Sequence, residues 1–396
     1  VAPDARLGVD REPTSVADRR AGTAASSDRL PRVAILVHGS PGSAAGVRAR
    51  GLTRSFPADR ILYQWRERSR AVVAREWHRS IRSFAPDVLY VMNTAMPGAV
   101  LACWWRVRAG LPFVLDTGDV IYEMARRAGT DPAWKLPLLW AVERMAESWA
   151  HTIVTRGTRH REYLERRGPY RVEVIRDGYS PATDVDPVAV TRLRRQLGLE
   201  GAFVVGVMGT LVYSPTLGIC YGWDLVQALA QLPGPAVKGL VIGDGNGLPW
   251  LQAEARRLGV ADRLVFVGRI PYEHVPLYLR LLDVAISTQT NNLAGQVRTT
   301  GKLPEYMATA RFVVASRVGE ASLLLPDIML LDYAGEIDPL YPSKLAGRVR
   351  ALLDEPALLE ARHSLPEVAR RLCSYEVLSE QFIRVVRQVE EARRPG

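Results

Sequence analysis

The feature that most constrains this chain is a repeated alternation of short apolar runs with longer helical stretches, each run closing on a loop of small or acidic residues. Val33-Ala34-Ile35-Leu36-Val37 is the first run, and a Gly/Ser/Pro loop from His38 to Gly46 follows it. A continuous apolar run of this length reads as a parallel strand buried on both faces. Asp87 to Val91, Pro112 to Leu115, Thr152 to Val154 and Val172 to Ile175 repeat the pattern, with a helical stretch over residues 133–149. Arg176-Asp177-Gly178 marks a turn, and Pro181 to Pro187 reads as a linker. A second series opens at Phe203 to Gly209. It continues through Gly239 to Gly243, Arg263 to Gly268, Val284 to Ser287 and Phe312 to Ser316, with helical patterns over Asp224 to Leu232, Leu248 to Leu258 and Tyr272 to Leu282.

Strands alternating with helices imply parallel sheets covered by helices on both faces. The chain has 396 residues, 47 % of them apolar, which suits two such units. The expected architecture is α/β: two facing Rossmann-like, doubly wound domains, residues 31–180 and 181–375, with a cleft between them. The last segment, residues 376–396, carries an apolar stripe at Leu378, Phe382, Val385, Val386 and Val389, and is expected to pack back on the first domain as a helix. Residues 1–30 lack apolar periodicity and are expected to form a disordered tail.

Other classes are disfavoured. No apolar run approaches the roughly 18–20 residues that span a bilayer, and the first residues do not read as a signal peptide. Cys103, Cys220 and Cys373 are scattered, without a CxxC pair or metal-ligand spacing, so a reduced, cytoplasmic setting and no bound metal are expected. The net charge is +10, but only four of the 52 basic residues are lysines, and the arginines are spread along the chain without a nucleic-acid-binding motif. Nucleic acid is therefore not expected as a partner; a phosphorylated small molecule or an anionic membrane surface suits the field better. Residues 65–82 combine Trp65, Trp77 and several apolar residues with six arginines. This stretch reads either as a basic helix resting on anionic lipid or, preferably, as a helix burying Val72, Val73, Trp77 and Ile81 against the first sheet. The oligomeric state is not legible.

In sheets of this kind ligands bind at the carboxyl ends of the strands. Gly209-Thr210-Leu211 and Gly243-Asp244-Gly245-Asn246-Gly247 are glycine-rich strand ends able to bring backbone N–H groups near a phosphate, although neither completes a GxGxxG or GxxxxGK[ST] pattern. The segment from Arg298 to Ala308 is sharper. Thr299, Thr300 and Gly301 precede a short helical stretch whose first-turn N–H groups and dipole suit a diphosphate. Lys302 and Glu305 lie on one face of that turn. A lysine there can meet a phosphate and a carboxylate can accept two ribose hydroxyls; alternatively the two form an exposed ion pair.

The string Lys302-Leu303-Pro304-Glu305-Tyr306-Met307-Ala308, followed by Phe312 to Ser316, resembles the donor-site segment of the family-4 glycosyltransferases, retaining enzymes of the GT-B fold. Leu240 to Gly245, Val265 to Pro271 and Asp283 to Ile286 resemble that family's neighbouring strand ends in the same order, as do Asp116-Thr117-Gly118-Asp119 and Val174 to Gly178 in the first half. The resemblance spans about residues 32–390. It implies a metal-independent hexosyl transfer from a UDP- or GDP-linked sugar, a co-substrate rather than a bound cofactor. Glu305 would hold the ribose. Leu303 and the Thr299 to Lys302 backbone would hold the diphosphate, with Gly209, Thr210 and Gly243 nearby, and Gly268, Arg269 and Ile270 would frame the base. The first domain would take the acceptor, with Gly42 and Asp116 on that side and Asp119 and His38 as catalytic candidates.

Two departures stand out. Val297 occupies the position, eight before Glu305, where many members carry a sugar-binding glutamate, and Leu211 to Gly222 contains none of the basic residues that usually neutralise the diphosphate. Arg298 or Lys302 is the expected substitute. The acceptor is expected to be a small-molecule natural product of a GC-rich bacterium, as in antibiotic biosynthesis. A lipid-linked or polysaccharide acceptor at a membrane, and a non-catalytic nucleotide-sugar binding protein, are the alternatives.

Overall fold

A computed structural model describes residues 29–94, 96–129, 131–179, 185–232 and 234–393. The first domain is built on six parallel strands: β1 (Val33–Val37), β2 (Ile61–Trp65), β3 (Val88–Met92), β4 (Phe113–Thr117), β5 (Thr152–Thr155) and β6 (Val172–Val174), in the order β2-β1-β3-β4-β5-β6. Every residue of β1, β3 and β4 is buried, because helices cover both faces. Those helices are α1 (Ala44–Leu52), α2 (Arg70–Phe84), α3 (Gly98–Ala109), α4 (Ile121–Ala128), α5 (Lys135–Trp149) and α6 (Thr158–Glu165).

β2 was not expected from sequence. It is an edge strand, all five of its residues are only partly buried, and Trp65 closes it instead of opening a helix. The helix starts at Arg70 and buries Val73, Trp77 and Ile81, so its tryptophan faces the core, while Val72 is exposed.

The second domain has strands β7 (Phe203–Met208), β10 (Val237–Ile242), β11 (Leu264–Gly268), β12 (Val284–Ser287), β13 (Phe312–Ser316) and β14 (Leu330–Leu331), parallel and ordered β11-β10-β7-β12-β13-β14; β8 (Tyr213–Ser214) and β9 (Ile219–Cys220) form a separate small hairpin. The helices are α7 (Pro187–Gln196), α8 (Trp223–Ala230), α9 (Leu248–Arg257), α10 (Val275–Leu279), α11 (Leu293–Val297), α12 (Lys302–Ala308), α13 (Ala321–Leu324), α14 (Tyr341–Asp354) and α15 (Leu365–Cys373). The expected helix over Tyr272 to Leu282 is shorter: a 3-10 turn, Tyr272–His274, leads into α10. Both sheets are doubly wound. The strand order reverses between β1 and β3 in the first and between β7 and β12 in the second, and these switch points are where such sheets open a ligand crevice.

Residues 1–28 of the expected tail lie outside the described residues, and Leu30 packs against the first core. Residues 181–184 of the expected linker also lie outside them. Asp186 accepts a hydrogen bond from the Val188 N–H and caps α7, which begins at Pro187.

The last helix, α16 (Tyr375–Glu391), returns to the first domain. Leu378, Phe382, Val385, Val386 and Val389 join the core formed by Val33, Ile35, Val88 and Tyr90. Phe382 meets Phe56 edge-on with ring centroids 5.7 Å apart, and Tyr90 at 5.0 Å. Tyr375 wedges the return in place: a Cβ on Gly51 would lie 2.1 Å from its ring, and one on Gly178 2.6 Å, so both neighbours must be glycine.

Candidate functional site

Beside the second switch point the ends of β7, β10 and β11 converge. Gly243 has φ +137° and a Cβ there would come within 1.9 Å of the Gly209 carbonyl oxygen, so only glycine lets β7 and β10 end this close. The Gly243 N–H donates to the Gly268 carbonyl at 2.9 Å, tying in β11. Met208, the last residue of β7, donates its N–H to the Tyr306 hydroxyl at 2.9 Å. Thr210 beside Gly209 is exposed.

Lys302 stands over Gly209, its Nζ 3.3 Å from where a Gly209 Cβ would be. The amine donates to the Tyr221 hydroxyl and lies 3.8 Å from the centre of that ring. Burial pushes the Lys302 amine down to about 7, with Arg298 acting in the same direction and Asp224 opposing. Gly301 caps α12, the Leu303 N–H donates to the Thr300 carbonyl at 3.0 Å, and the buried Thr299 hydroxyl makes no hydrogen bond among the described residues. Glu305 is buried and accepts from the Tyr272 hydroxyl at 2.6 Å. Lys302 and Glu305 therefore have separate partners and the exposed ion pair does not form. Val297 is 3 % exposed, so the position that differs from the family pattern is packed into the interior.

On the first domain the structure corrects one placement. Asp116 is fully buried and faces inward, not toward an acceptor. It takes Arg48 Nη2 at 2.8 Å, Arg48 Nε at 3.0 Å, the Tyr90 hydroxyl at 2.7 Å and Arg156 Nε at 3.4 Å. Burial alone would raise the Asp116 carboxyl, but Arg48 and Arg156 hold it below its ordinary range. Arg48 also donates to the Ile175 and Arg176 carbonyls, so this network knits β3, β4 and the segment after β6 together.

Asp119, just past β4, reaches across the domains to Arg298: its Oδ1 lies 3.3 Å from Arg298 Nε. His38 follows β1, and its buried Nδ1 makes no hydrogen bond among the described residues. Burial, with Arg66 and Arg70, lowers its pKa to about 4, so the ring is neutral at physiological pH. The two catalytic candidates thus occupy different surroundings, Asp119 against Arg298 and His38 against Arg66 and Arg70.

The domains enclose a cleft of about 750 Å³, into which Gly42, Arg50 and Arg54 look from the first domain and Arg269, Ile270 and Tyr272 from the second. Three of the residues expected from sequence, Gly42, Arg269 and Ile270, are therefore brought face to face. Behind the cleft, Glu320 clasps the domains: it accepts from the Thr158 N–H at 2.8 Å and from Arg176 Nη2 at 2.7 Å. Tyr221, Tyr272, Arg50 and Glu320 were not singled out from sequence. Tyr272 and Tyr221 carried a usable signal, since Tyr272 lies two residues beyond Ile270 in the loop expected to frame a base and Tyr221 lies within Leu211 to Gly222 on the diphosphate side; Arg50 and Glu320 did not.

The family described as glycosyl transferases group 1 matches residues 202–354. A 2-deoxystreptamine glucosyltransferase of Streptomyces kanamyceticus is 30 % identical over 317 residues, covering 76 % of this chain and 75 % of that one. A 2-deoxystreptamine N-acetyl-D-glucosaminyltransferase of Streptomyces fradiae is 27 % identical over 232 residues, 54 % of this chain and 52 % of that one. Among solved structures, Anabaena HepE in complex with UDP and glucose superposes with a TM-score of 0.72 at 18 % identity, over 91 % of this chain and 100 % of that one.

Proposed function

Since the chain belongs to the glycosyl transferases of group 1, with the GT-B fold and a nucleotide sugar as co-substrate, we propose that it is a retaining hexosyltransferase that moves a sugar from a UDP- or GDP-linked donor to a hydroxyl of a small polyhydroxylated natural product. The observation that carries this reading is the meeting of Gly209, Gly243 and the Lys302 amine where β7 and β10 end. The names of the two Streptomyces relatives support an aminocyclitol such as 2-deoxystreptamine as the acceptor class.

In this reading the bond from the sugar's anomeric carbon to the donor phosphate oxygen breaks while the acceptor oxygen forms a bond on the same face and passes its proton to the departing phosphate oxygen. Negative charge grows on the departing diphosphate. Lys302, Arg298 and the N–H groups opening α12 neutralise it without a bound metal. Glu305 accepts from the ribose and shares its carboxylate with Tyr272. Arg269 and Ile270 frame the base, and Asp119 orients the acceptor hydroxyl. Arg298 then links the two halves of the reaction, since its guanidinium faces Asp119.

Thermal-shift measurements with UDP, GDP, ADP and dTDP test the donor assignment. UDP or GDP should raise the melting temperature by mass action, and no response to any of the four sinks it. Product NMR with the responding nucleotide's sugar then reads the anomeric configuration.

A second reading, a peripheral enzyme with a lipid-linked acceptor, is favoured by one observation. α3 exposes Val100, Trp104 and Val107, and Arg75 and Arg79 of α2 line the groove beside Trp104.

A further inference from the structure

The loop that carries Asp119 is anchored from below by a residue outside the site described so far. Glu143, in the middle of α5, is 5 % exposed. Its Oε1 accepts from the Ile121 N–H at 2.7 Å and its Oε2 from the Tyr122 N–H at 3.2 Å. These are the first two residues of α4, whose opening N–H groups have no partner within the helix. No side chain at the helix's own N-cap, Val120, does this job. One carboxylate thus fixes the backbone two and three residues beyond Asp119. We infer that Glu143 is a positioning residue for the acceptor-side loop: in its ionised form it holds residues 118–122 so that Asp119 faces Arg298 of the second domain. The inference rests on reading that loop as the acceptor side.

The surroundings make this anchor sensitive to pH. From its own helix Glu143 faces Glu147, whose Oε2 is 3.1 Å from Arg144. From the segment after α6 comes Arg167, 3.8 Å from Glu147, and from α6 itself Tyr163, whose hydroxyl accepts from Arg167 at 2.6 Å. α4 brings Glu123, already paired with Arg126 and Arg127. α3 packs on α5 through buried Ala99, Ala102 and Cys103 and leaves Arg106 and Arg108 exposed. Burial and then the Glu147 charge push the Glu143 carboxyl up to about 7, against the two N–H groups and Arg167. Below that pH the acid is protonated and is a poorer acceptor for two N–H groups; above it the full anchor is present.

The test is turnover against pH for three variants beside the unaltered enzyme. The unaltered enzyme should lose kcat as pH falls through about 7. Glu143→Gln keeps the shape but loses one acceptor, and should lower kcat about 10-fold with donor KM within about 2-fold, abolishing that limb. Unchanged kcat and an unchanged profile in Glu143→Gln overturn the proposal. Glu147→Gln keeps the anchor and removes the like charge, so it should move the limb to lower pH without loss at high pH; an unmoved limb overturns the proposal even if Glu143→Gln does not fold. Asp119→Asn separates this from the catalytic reading. Full turnover in Asp119→Asn with the Glu143→Gln defect intact removes Asp119 from the chemistry and leaves the anchored loop standing. Hydrogen exchange at the Ile121 and Tyr122 amides gives an activity-free readout, and protection unchanged in Glu143→Gln overturns the anchor itself.

Discussion

Lys302 is one of four lysines in a chain that otherwise uses arginine for positive charge. The choice has a physical consequence, because a buried ammonium gives up its proton and a guanidinium does not. With its amine lowered to about 7, Lys302 is partly neutral near physiological pH and becomes fully charged once a diphosphate arrives. Donor binding should therefore take up protons, and affinity should fall as pH rises above about 7. Lys302→Met should weaken donor binding about 10- to 100-fold, the range for a charge-assisted hydrogen bond, and should flatten that pH dependence. Nucleotide titration calorimetry at several pH values checks both, and a Lys302→Met variant with an unaltered slope removes the lysine from the donor site. Some of this was legible in the sequence. Lys302, Glu305 and the glycines stood out because backbone approach and helix-turn spacing are local properties. The Tyr221 partner of Lys302 lies 81 residues away. Arg48 and Asp116 are 68 residues apart, and pairing at that separation leaves no trace in spacing. Asp116 was misplaced for this reason: a strand-end aspartate looks the same in sequence whether it faces the cleft or a buried arginine.

At the scale of elements, continuous apolar runs revealed the central strands because burial on both faces removes polar residues from them. The edge strand β2 was missed where that condition fails, since Gln64 interrupts its apolar run and every residue is half-buried. The two-residue strands β8, β9 and β14 are too short to show any period. The helix α16 was legible through its stripe, and it supplies one wall of a first-domain core. Phe382 is completely buried between Phe56 and Tyr90. Phe382→Ala should destabilise the first domain by about 3–5 kcal/mol. In differential scanning calorimetry the transition of the first domain should move down while that of the second stays, and a uniform shift of both would mean that the domains unfold as one unit.

Across the whole molecule, the two domains are linked by Glu320 with Arg176 and Thr158, by Arg298 with Asp119, and by Arg127 with Glu336. These contacts involve charged side chains at a polar seam, the kind of interface that permits relative motion. The outer surface makes its own prediction. If the groove between α2 and α3 rests on a membrane, the protein should sediment with anionic vesicles at low salt, release at high salt, and bind several-fold more weakly as Trp104→Ala; no sedimentation at low salt removes the membrane reading. None of the described helices is long and apolar enough to cross a bilayer. The return of α16 also has a consequence for biosynthesis. A domain begun at Val33 acquires Val389, part of its core, only after the entire second domain has been translated. The half made later can thus finish folding first, while the earlier half waits beside the ribosome with the Val33, Ile35 and Tyr90 face of its sheet uncovered. A ribosome that stalls after α15 presents that face to chaperones, and to other nascent chains, as a sticky intermediate.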